Sequence, residues 1–476
     1  MFETFEGGWK LLRNPFQVLP ESREMITSHV SGRKADIQEI IAEGQNAIIL
    51  AGAPHIGKTS LIRYLLRPAT AKWSWRDELE DLRSYLELDE VSFTQIDLSQ
   101  LEGVTDADNL LMPFIAQCIA ALQSAWPQVT GKYSGLKGLR ELLRYISREY
   151  PDARYFVVLD SIERLQGPDM PSLKETTKAE TPQERGLALL DDIGAFRVLV
   201  DLLDEFSQFG VILAIESLPL PRISNQFTHV SADLARFRTM TLQVFTREDT
   251  MRFLAQNAES FGEEWERRFR EAGGNVFFSP DTQAWLYEQA GSHPYLLQQF
   301  CFHTFHFKRE YAIKRGSWSE LQKDDREQLI ERVSERVSTF LDRIWKRVKA
   351  SLDVSSQETR EKFYDFIAES KGKSAREEVD PAIWNQLGLE LRYILYSEGI
   401  VRYDPLQPVY YPGSVLLNYL AQKVQEQDKP TTFATLTQFQ STMGHANELI
   451  ITLPGKQPQP LELSSLEYAL MKTLLH

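Results

Sequence analysis

The sequence predicts an α/β chain built on a doubly wound parallel sheet. Three observations carry this: apolar runs of strand length, helical stretches alternating with them, and a glycine-bounded turn between the first run and the first helix. Runs that are apolar at nearly every position belong to strands covered on both faces, as in a parallel sheet.

The first run occupies residues 46–51 and passes into Gly52-Ala53-Pro54-His55-Ile56-Gly57-Lys58-Thr59, the complete G-x-x-x-x-G-K-[ST] pattern. Glycine at both ends lets backbone N–H groups close around phosphate oxygens. Lys58 supplies charge to the β and γ phosphates, and the Thr59 hydroxyl can ligate magnesium. Ser60 continues into a helix whose N-terminal dipole favours an anion. The pattern therefore implies ATP or ADP, with Mg2+, as the bound group.

A second run, residues 155–159, ends at Asp160, where an acid at the C-terminal edge of a central strand can hold that magnesium. The plainer reading, an acid closing the strand in a turn, stands beside it. Further strands are expected at 92–98, 210–217 and 239–243, and helices at 109–125, 136–149 and 187–209. Residues 166–185, rich in Pro, Lys, Glu and Thr, interrupt the alternation and read as a surface insertion.

A chain of 476 residues has room for about three domains, and 42% hydrophobic with 25% charged residues is an ordinary globular balance. The formal charge of −14 opposes duplex nucleic acid unless a local basic patch intervenes. Cys118 and Cys301 are far apart in apolar surroundings, which argues against a disulfide framework or a zinc site and for a reducing compartment. The acidic N-terminus does not resemble a signal peptide, and no apolar run approaches the roughly 18 residues of a membrane span. A cytoplasmic protein without membrane association is expected.

Towards the C-terminus, residues 317–350 read as one or two long amphipathic helices and 357–369 as another. A helix at 387–397, a hairpin joining 399–403 to 409–412, and a helix at 415–424 capped by Ser414 make the order of a winged-helix unit. Arg392 and Arg402 are its only basic residues between 387 and 420, so no phosphate-tracking surface is evident. Residues 425–448 are polar and read as a linker.

With these motifs in order, the chain resembles the STAND branch of AAA-like P-loop ATPases over residues 14–425. Asn14-Pro15-Phe16 and then Val30, Gly32 and Arg33 are similar to that family's entry segment, whose backbone borders the adenine. Residues 57–61 match its phosphate loop and the Ser-Leu that follows, and Asp160 its magnesium-site aspartate. Glu216-Ser217 stands where the family carries its first sensor, with Arg222 just beyond. Gly291-Ser292-His293-Pro294 is similar to its G-x-P element, whose proline packs beside the adenine. The same residues also read simply as the stop of one helix and the start of the next. His293 is assigned no chemistry.

The resemblance implies an entry segment at 1–28, a P-loop NTPase domain at 29–245, a helical lid at 246–315, a winged-helix domain at 316–425, and a linker with the start of a further module at 426–476. Residues 448–453 and 461–475 are similar to the opening of a response-regulator type winged helix; a fragment of a longer protein, or a last helix docked on the body, would each account for the ending. One departure matters. ATPases of this class follow the aspartate with a glutamate that orients the attacking water, whereas Ser161 follows Asp160 and the next carboxylate is Glu163. Lys58, Asp160 and Glu163 are the catalytic candidates, and slow turnover is expected. Glu163 reads equally as a solvated helix-start acid.

The leading functional expectation is a nucleotide-controlled signalling switch with a protein partner or self-association on activation. A DNA-loading or remodelling ATPase resembling archaeal replication initiators, and an ATPase-gated transcription factor, are the alternatives.

Overall fold

The computed structural model describes residues 14, 16, 33–42, 46–66, 91–96, 98–101, 110–160, 162–165, 182–216, 236–255, 263–271, 274, 276–315, 318–404, 406–428, 448–451 and 459–462. Five parallel strands form its sheet: β1 (Ala47–Gly52), β2 (Val91–Gln95), β3 (Arg154–Leu159), β4 (Phe209–Glu216) and β5 (Arg238–Leu242), in the order β2-β3-β4-β1-β5.

Period-two alternation of side chains divides the core between the two faces. Ile49 and Ala51 of β1, Tyr155, Val157 and Leu159 of β3 and Val211, Leu213 and Ile215 of β4 pack against α3 (Leu111–Ala125), α4 (Gly135–Glu149) and α6 (Ala195–Glu205). The intervening Ile48, Leu50, Phe156, Val158, Ile212 and Ala214 pack, with Met240 and Leu242 of β5, against α1 (Lys34–Ile41) and α2 (Lys58–Leu65). Both faces are covered, as expected of a doubly wound sheet, and the ligand edge is left at the C-terminal strand ends.

The helix expected at 187–209 is two: α5 (Pro182–Asp192) and α6, separated where Gly194 adopts φ 73°. A left-handed residue cannot continue a right-handed helix, so the apolar periodicity of the pair spans a real break. Most of the expected insertion at 166–185 lies outside the described residues.

A helical region follows: α7 (Arg247–Leu254), α8 (Glu263–Glu271), α9 (Pro280–Ala290) and α10 (Pro294–Arg315). Thr246 and Ser279 cap α7 and α9 by accepting from the backbone of Asp249 and Thr282. Phe16 is anchored among Phe253, Phe277, Phe278 and Phe305, and the Asn14 amide donates to Phe302 O at 2.8 Å. These two residues of the entry segment are thus held by the helical region.

The single helix α11 (Lys323–Val354) runs on to α12 (Gln357–Glu369), α13 (Pro381–Gln386), α14 (Gly388–Ser397) and α15 (Ser414–Asp428). The expected hairpin pairs differently. Residues 399–403 form no ladder with 409–412; instead Glu378 and Tyr410 make an antiparallel bridge, with Val379 N donating to Val409 O at 2.7 Å. The 399–403 segment spends its groups elsewhere: Arg402 Nη1 donates to Val244 O at 2.9 Å and Tyr403 N to Gln243 Oε1 at 2.8 Å. The order here is helix, isolated bridge, two helices, an extended segment and a final helix.

Residues to Asn418 form one compact unit and those from Tyr419 a second, in which β6 (Glu448–Ile451) pairs antiparallel with β7 (Gln459–Glu462). The helix expected after β7 lies outside the described residues. No described helix is long and apolar enough to cross a membrane.

Candidate functional site

The glycine-bounded turn leaves β1 at the edge where β3 and β4 also end. Gly52 is the register partner of Glu216, and Asp160 follows the last residue of β3. A Cβ on Gly52 would stand 2.9 Å from Ile56 Cγ2 and 3.0 Å from the Leu242 carbonyl oxygen, so the first glycine is required by close approach of backbone. Gly57 is required by conformation: it caps α2 with φ 105°. His55, between them, has φ 60°, an uncommon value for a residue with a side chain and a mark of a tightly determined loop.

Within this loop Lys58 Nζ donates to Gly52 O at 2.6 Å and Ala53 O at 3.0 Å, folding the lysine back over the turn. Arg33 braces it from the other side. Its buried guanidinium donates to Ile56 O at 2.6 Å and Gln243 O at 2.7 Å, pairs with Asp36 at 3.2 Å and lies 4.8 Å from the Phe245 ring centre. Burial lowers the Arg33 pKa, partly countered by Asp36.

A cleft of about 640 Å3 opens over the turn. Pro54, His55, Gly57, Lys58, Thr59, Ser60 and Asp160 line it from the sheet domain, and Pro294 from the N-terminus of α10. Gly291, at φ 60°, ends α9, so the glycine–proline element stops one helix, starts the next and also reaches the cleft. Ile56 faces inward to the core. Val30, Gly32, Ser217 and Arg222 lie outside the described residues; Glu163 falls on a short 3-10 turn, Ile162–Leu165, that follows Asp160 by one residue.

The sequence reading missed the cleft's far wall. Arg336 and Arg343 of α11 line it with Tyr295, Gln298 and Gln299 of α10. With Phe340 and Arg347 these arginines form a stripe at helical spacing. Phe340 meets the His55 ring edge-on at 5.5 Å between centres, and Tyr295 stands 4.8 Å from it. Burial lowers the His55 pKa, and Arg343 and Lys58 lower it further, against Glu216. The stripe was legible as an amphipathic pattern, but nothing in the pattern says which face meets the loop.

Glu216 holds the stripe to the sheet. Arg343 Nη2 donates to its Oε1 at 3.0 Å and Arg347 Nη1 to its Oε2 at 2.5 Å, while Arg347 Nε donates to Glu398 Oε2 at 2.5 Å. Glu398 closes α14 and is only 2% exposed; burial raises its carboxyl pKa against the pull of Arg347. Next to it, Gly399 has φ 71°, and a Cβ there would meet Ala53 Cβ at 3.3 Å and Ile56 Cδ1 at 3.4 Å. The 398–399 corner therefore rests on the turn itself.

His293 is buried beside this corner. Its Nδ1 accepts from Tyr295 N at 3.2 Å, its Nε2 has no partner among the described residues, and burial pushes its pKa down to about 3. Both cysteines are buried with their thiol pKa values pushed up, that of Cys118 to about 12, so neither is a nucleophile at neutral pH.

The fold is a doubly wound parallel sheet with a phosphate-binding turn at the end of its first strand, followed by helical elements.

No family model matches the chain, and no curated protein sequence does. Among solved structures it is similar to the ORC2 protein of Aeropyrum pernix, solved as ADPNP–ADP complexes, with 13% identity over 88% of this chain and 99% of that one and a TM-score of 0.39. It is also similar to CDC6P from Pyrobaculum aerophilum, with 14% identity over 88% and 97% of the two chains and a TM-score of 0.33.

The turn's chemistry fits a nucleotide phosphate: two glycines, required by contact and by φ, shape the turn, and a helix N-terminus and a lysine face one cleft. Thr59 and Asp160 offer a hydroxyl and a carboxylate on that same cleft, the oxygen donors a phosphate-bound Mg2+ takes from protein. Among the described residues no cluster of three or more His, Cys, Asp or Glu forms a self-sufficient metal cage.

Proposed function

We propose that this chain is an ATP- or ADP-binding switch in which the bound nucleotide governs how the C-terminal helices are held against the sheet domain. The observation that carries the reading is the seating of the 398–399 corner on the turn, with Arg347 joining Glu398 to Glu216. Nucleotide held by residues 52–60 would lie in a cleft walled by α10 and α11 as well as by the sheet, so its occupancy bears on three parts of the chain at once. Lys58 would bind the phosphates, Thr59 and Asp160 would hold Mg2+, and Pro294 would close beside the base. Val30, Gly32, Ser217 and Arg222 are assigned to the site by resemblance, as is Glu163 as a water-orienting acid. Arg33 acts by holding the Ile56 carbonyl, and so the shape of the turn.

Two outputs fit such a switch. Assembly with a protein partner or a second copy is the favoured output: between residues 387 and 420 Arg392 and Arg402 are the only basic residues, and each donates to a carbonyl, Gly388 O and Val244 O, so this segment offers little cationic surface for DNA. A DNA-loading ATPase is the second reading, and the two archaeal matches lean towards it, at TM-scores too low to weigh. Hydrogen exchange of residues 381–416 with ATP, with ADP and without nucleotide tests the switch; identical protection in all three would refute it. Gel shifts decide the output: binding weaker than about micromolar at physiological salt is expected, and tight binding that falls steeply with salt would establish the DNA reading.

A further inference from the structure

We infer that a second cavity, between the helical region and residues 400–416, binds a small organic acid: a monocarboxylate whose charge is met by Arg247 and whose apolar body fills the space beside it. The inference stands apart from the nucleotide-site reading, because none of the residues that carry it belongs to the phosphate turn.

The cavity measures about 430 Å3, within the range of small-molecule sites, which run from roughly 300 to 1,000 Å3. Residues 244–251 and the turn between α9 and α10 make one wall, and residues 400–416 make the other. The walls are fixed to each other. Gly291 and Gly413 pack backbone on backbone, so that a Cβ on either would clash with the other, and Ser414 Oγ donates to Gln289 Oε1 at 2.8 Å beside them. Arg402 Nη1 ties the opposite end to Val244 O at 2.9 Å. A space held open between two such ties is preformed, which spares a ligand the cost of making it.

Arg247, Glu248, Arg402 and Asp404 bring charge to the cavity. Three of them are committed: Arg402 to Val244 O, Glu248 as acceptor from Arg252 at 2.9 Å, and Asp404 Oδ1 as acceptor from Leu406 N at 2.9 Å. Arg247 differs. Among the described residues its guanidinium makes no hydrogen bond or ion pair, and it lies over the Tyr410 ring, 5.2 Å from the centre. Tyr410 is itself held, its hydroxyl donating to Glu378 Oε1 at 3.3 Å. Attraction to the ring positions the guanidinium and leaves its N–H fork for a planar acid.

The neighbouring carboxylates select the ligand's charge. A doubly charged phosphate ester would meet Glu248 and Asp404 as like charges, whereas one carboxylate is matched by one guanidinium. Met251, Pro412 and Leu416 offer apolar surface to the rest of the molecule. A ligand that touches both walls binds only while they are together, so it holds residues 400–416 in place whatever the nucleotide cleft contains.

The test is calorimetry of the full chain with 4-phenylbutyrate, indole-3-propionate and octanoate, each beside its primary amide, and with phenyl phosphate. At least one acid is expected to bind with a Kd below about 1 mM, its amide about tenfold more weakly, and phenyl phosphate more weakly than the acid. Arg247→Gln should weaken that acid about tenfold and leave the amide unchanged. Met251→Trp, which fills the cavity from a half-buried position, should abolish binding of both. The bound acid should also slow hydrogen exchange of residues 400–416 in wild type and not in Met251→Trp. Circular dichroism checks the fold of each variant, and the acid–amide comparison, made on wild type, decides even if a variant fails to fold. Binding by none of the three acids, equal affinity for acid and amide, or an affinity that a folded Arg247→Gln leaves unchanged would overturn the inference. Phenyl phosphate binding more tightly than the acids would overturn it as well.

Discussion

Arg347 donates to Glu398 through Nε at 2.5 Å and Nη2 at 3.3 Å, and the carboxylate it holds is almost entirely withdrawn from water. Removing the arginine would leave a buried, unpaired acid. Arg347→Met is expected to cost about 3–5 kcal/mol, because desolvation of Glu398 would no longer be offset. Arg347→Met with Glu398→Leu should recover much of that loss, since apolar replacement of both partners removes the stranded charge. Urea unfolding of the single and double variants measures the difference; equal destabilisation would show that the pair matters only through packing.

Gly399 touches the turn more directly. Its φ of 71° alone makes a side chain costly, and the Cβ would press on Ala53 and Ile56. Gly399→Ala is expected to destabilise by about 1–2 kcal/mol and to speed exchange of residues 398–403. Gly388 is the control, with φ 72° and nothing within 4 Å of a Cβ. Its substitution meets the same backbone penalty without the contact, so a similar effect on nucleotide release from both variants would count against the corner as a coupling element.

The sheet was legible because buried parallel strands write themselves as apolar runs, and the phosphate turn because its residues each answer to a local need: contact at Gly52, φ at Gly57, charge at Lys58. What escaped was tertiary. Arg336, Phe340, Arg343 and Arg347 have correct helical spacing, but spacing cannot say that Phe340 meets His55 or that Arg347 finds Glu398, 51 positions away. The expected hairpin failed for a related reason: residues 402–403 bond to Gln243 and Val244, partners remote in sequence. The break at Gly194 was visible as a glycine but not as a left-handed one.

Lys58→Ala is expected to abolish ATP and ADP binding in calorimetry while the chain stays folded. The lysine's two donations to Gly52 and Ala53 carbonyls are worth about 1–2 kcal/mol together, a loss that lowers the melting temperature by a few degrees without unfolding the domain. Undiminished affinity would remove the basis for the phosphate site.

His293 should make stability fall in mild acid. Its folded pKa, pushed down to about 3, lies below the unfolded value of 6.5, so the unfolded chain binds the extra proton and stability is lost as pH drops through that window. The contribution is complete above pH 6.5 and amounts to about 3 kcal/mol lost by pH 4. His293→Asn, compared with wild type by urea unfolding at pH 7 and pH 4, should show a flatter difference. Parallel pH profiles for the two proteins would contradict a buried neutral ring.

Turnover of ATP is expected to be slow, below about one per minute, because hydrolysis needs a positioned water as well as neutralised phosphates. Ser161 stands where a water-orienting glutamate is expected after Asp160. The other carboxylate lining the described cleft, Glu216, is engaged by Arg347 through its Oε2. Closure of Pro294 and of the α11 stripe over the turn would further slow product release, so ADP should be retained. Phosphate release by wild type, Ser161→Glu, Glu163→Ala and Pro294→Ala tests each part. Ser161→Glu should raise turnover, Pro294→Ala should shorten ADP residence, and a fall in Glu163→Ala would identify Glu163 as the residue that orients water. Wild-type turnover above about one per second would be a motor's rate, and would displace the switch from the function proposed.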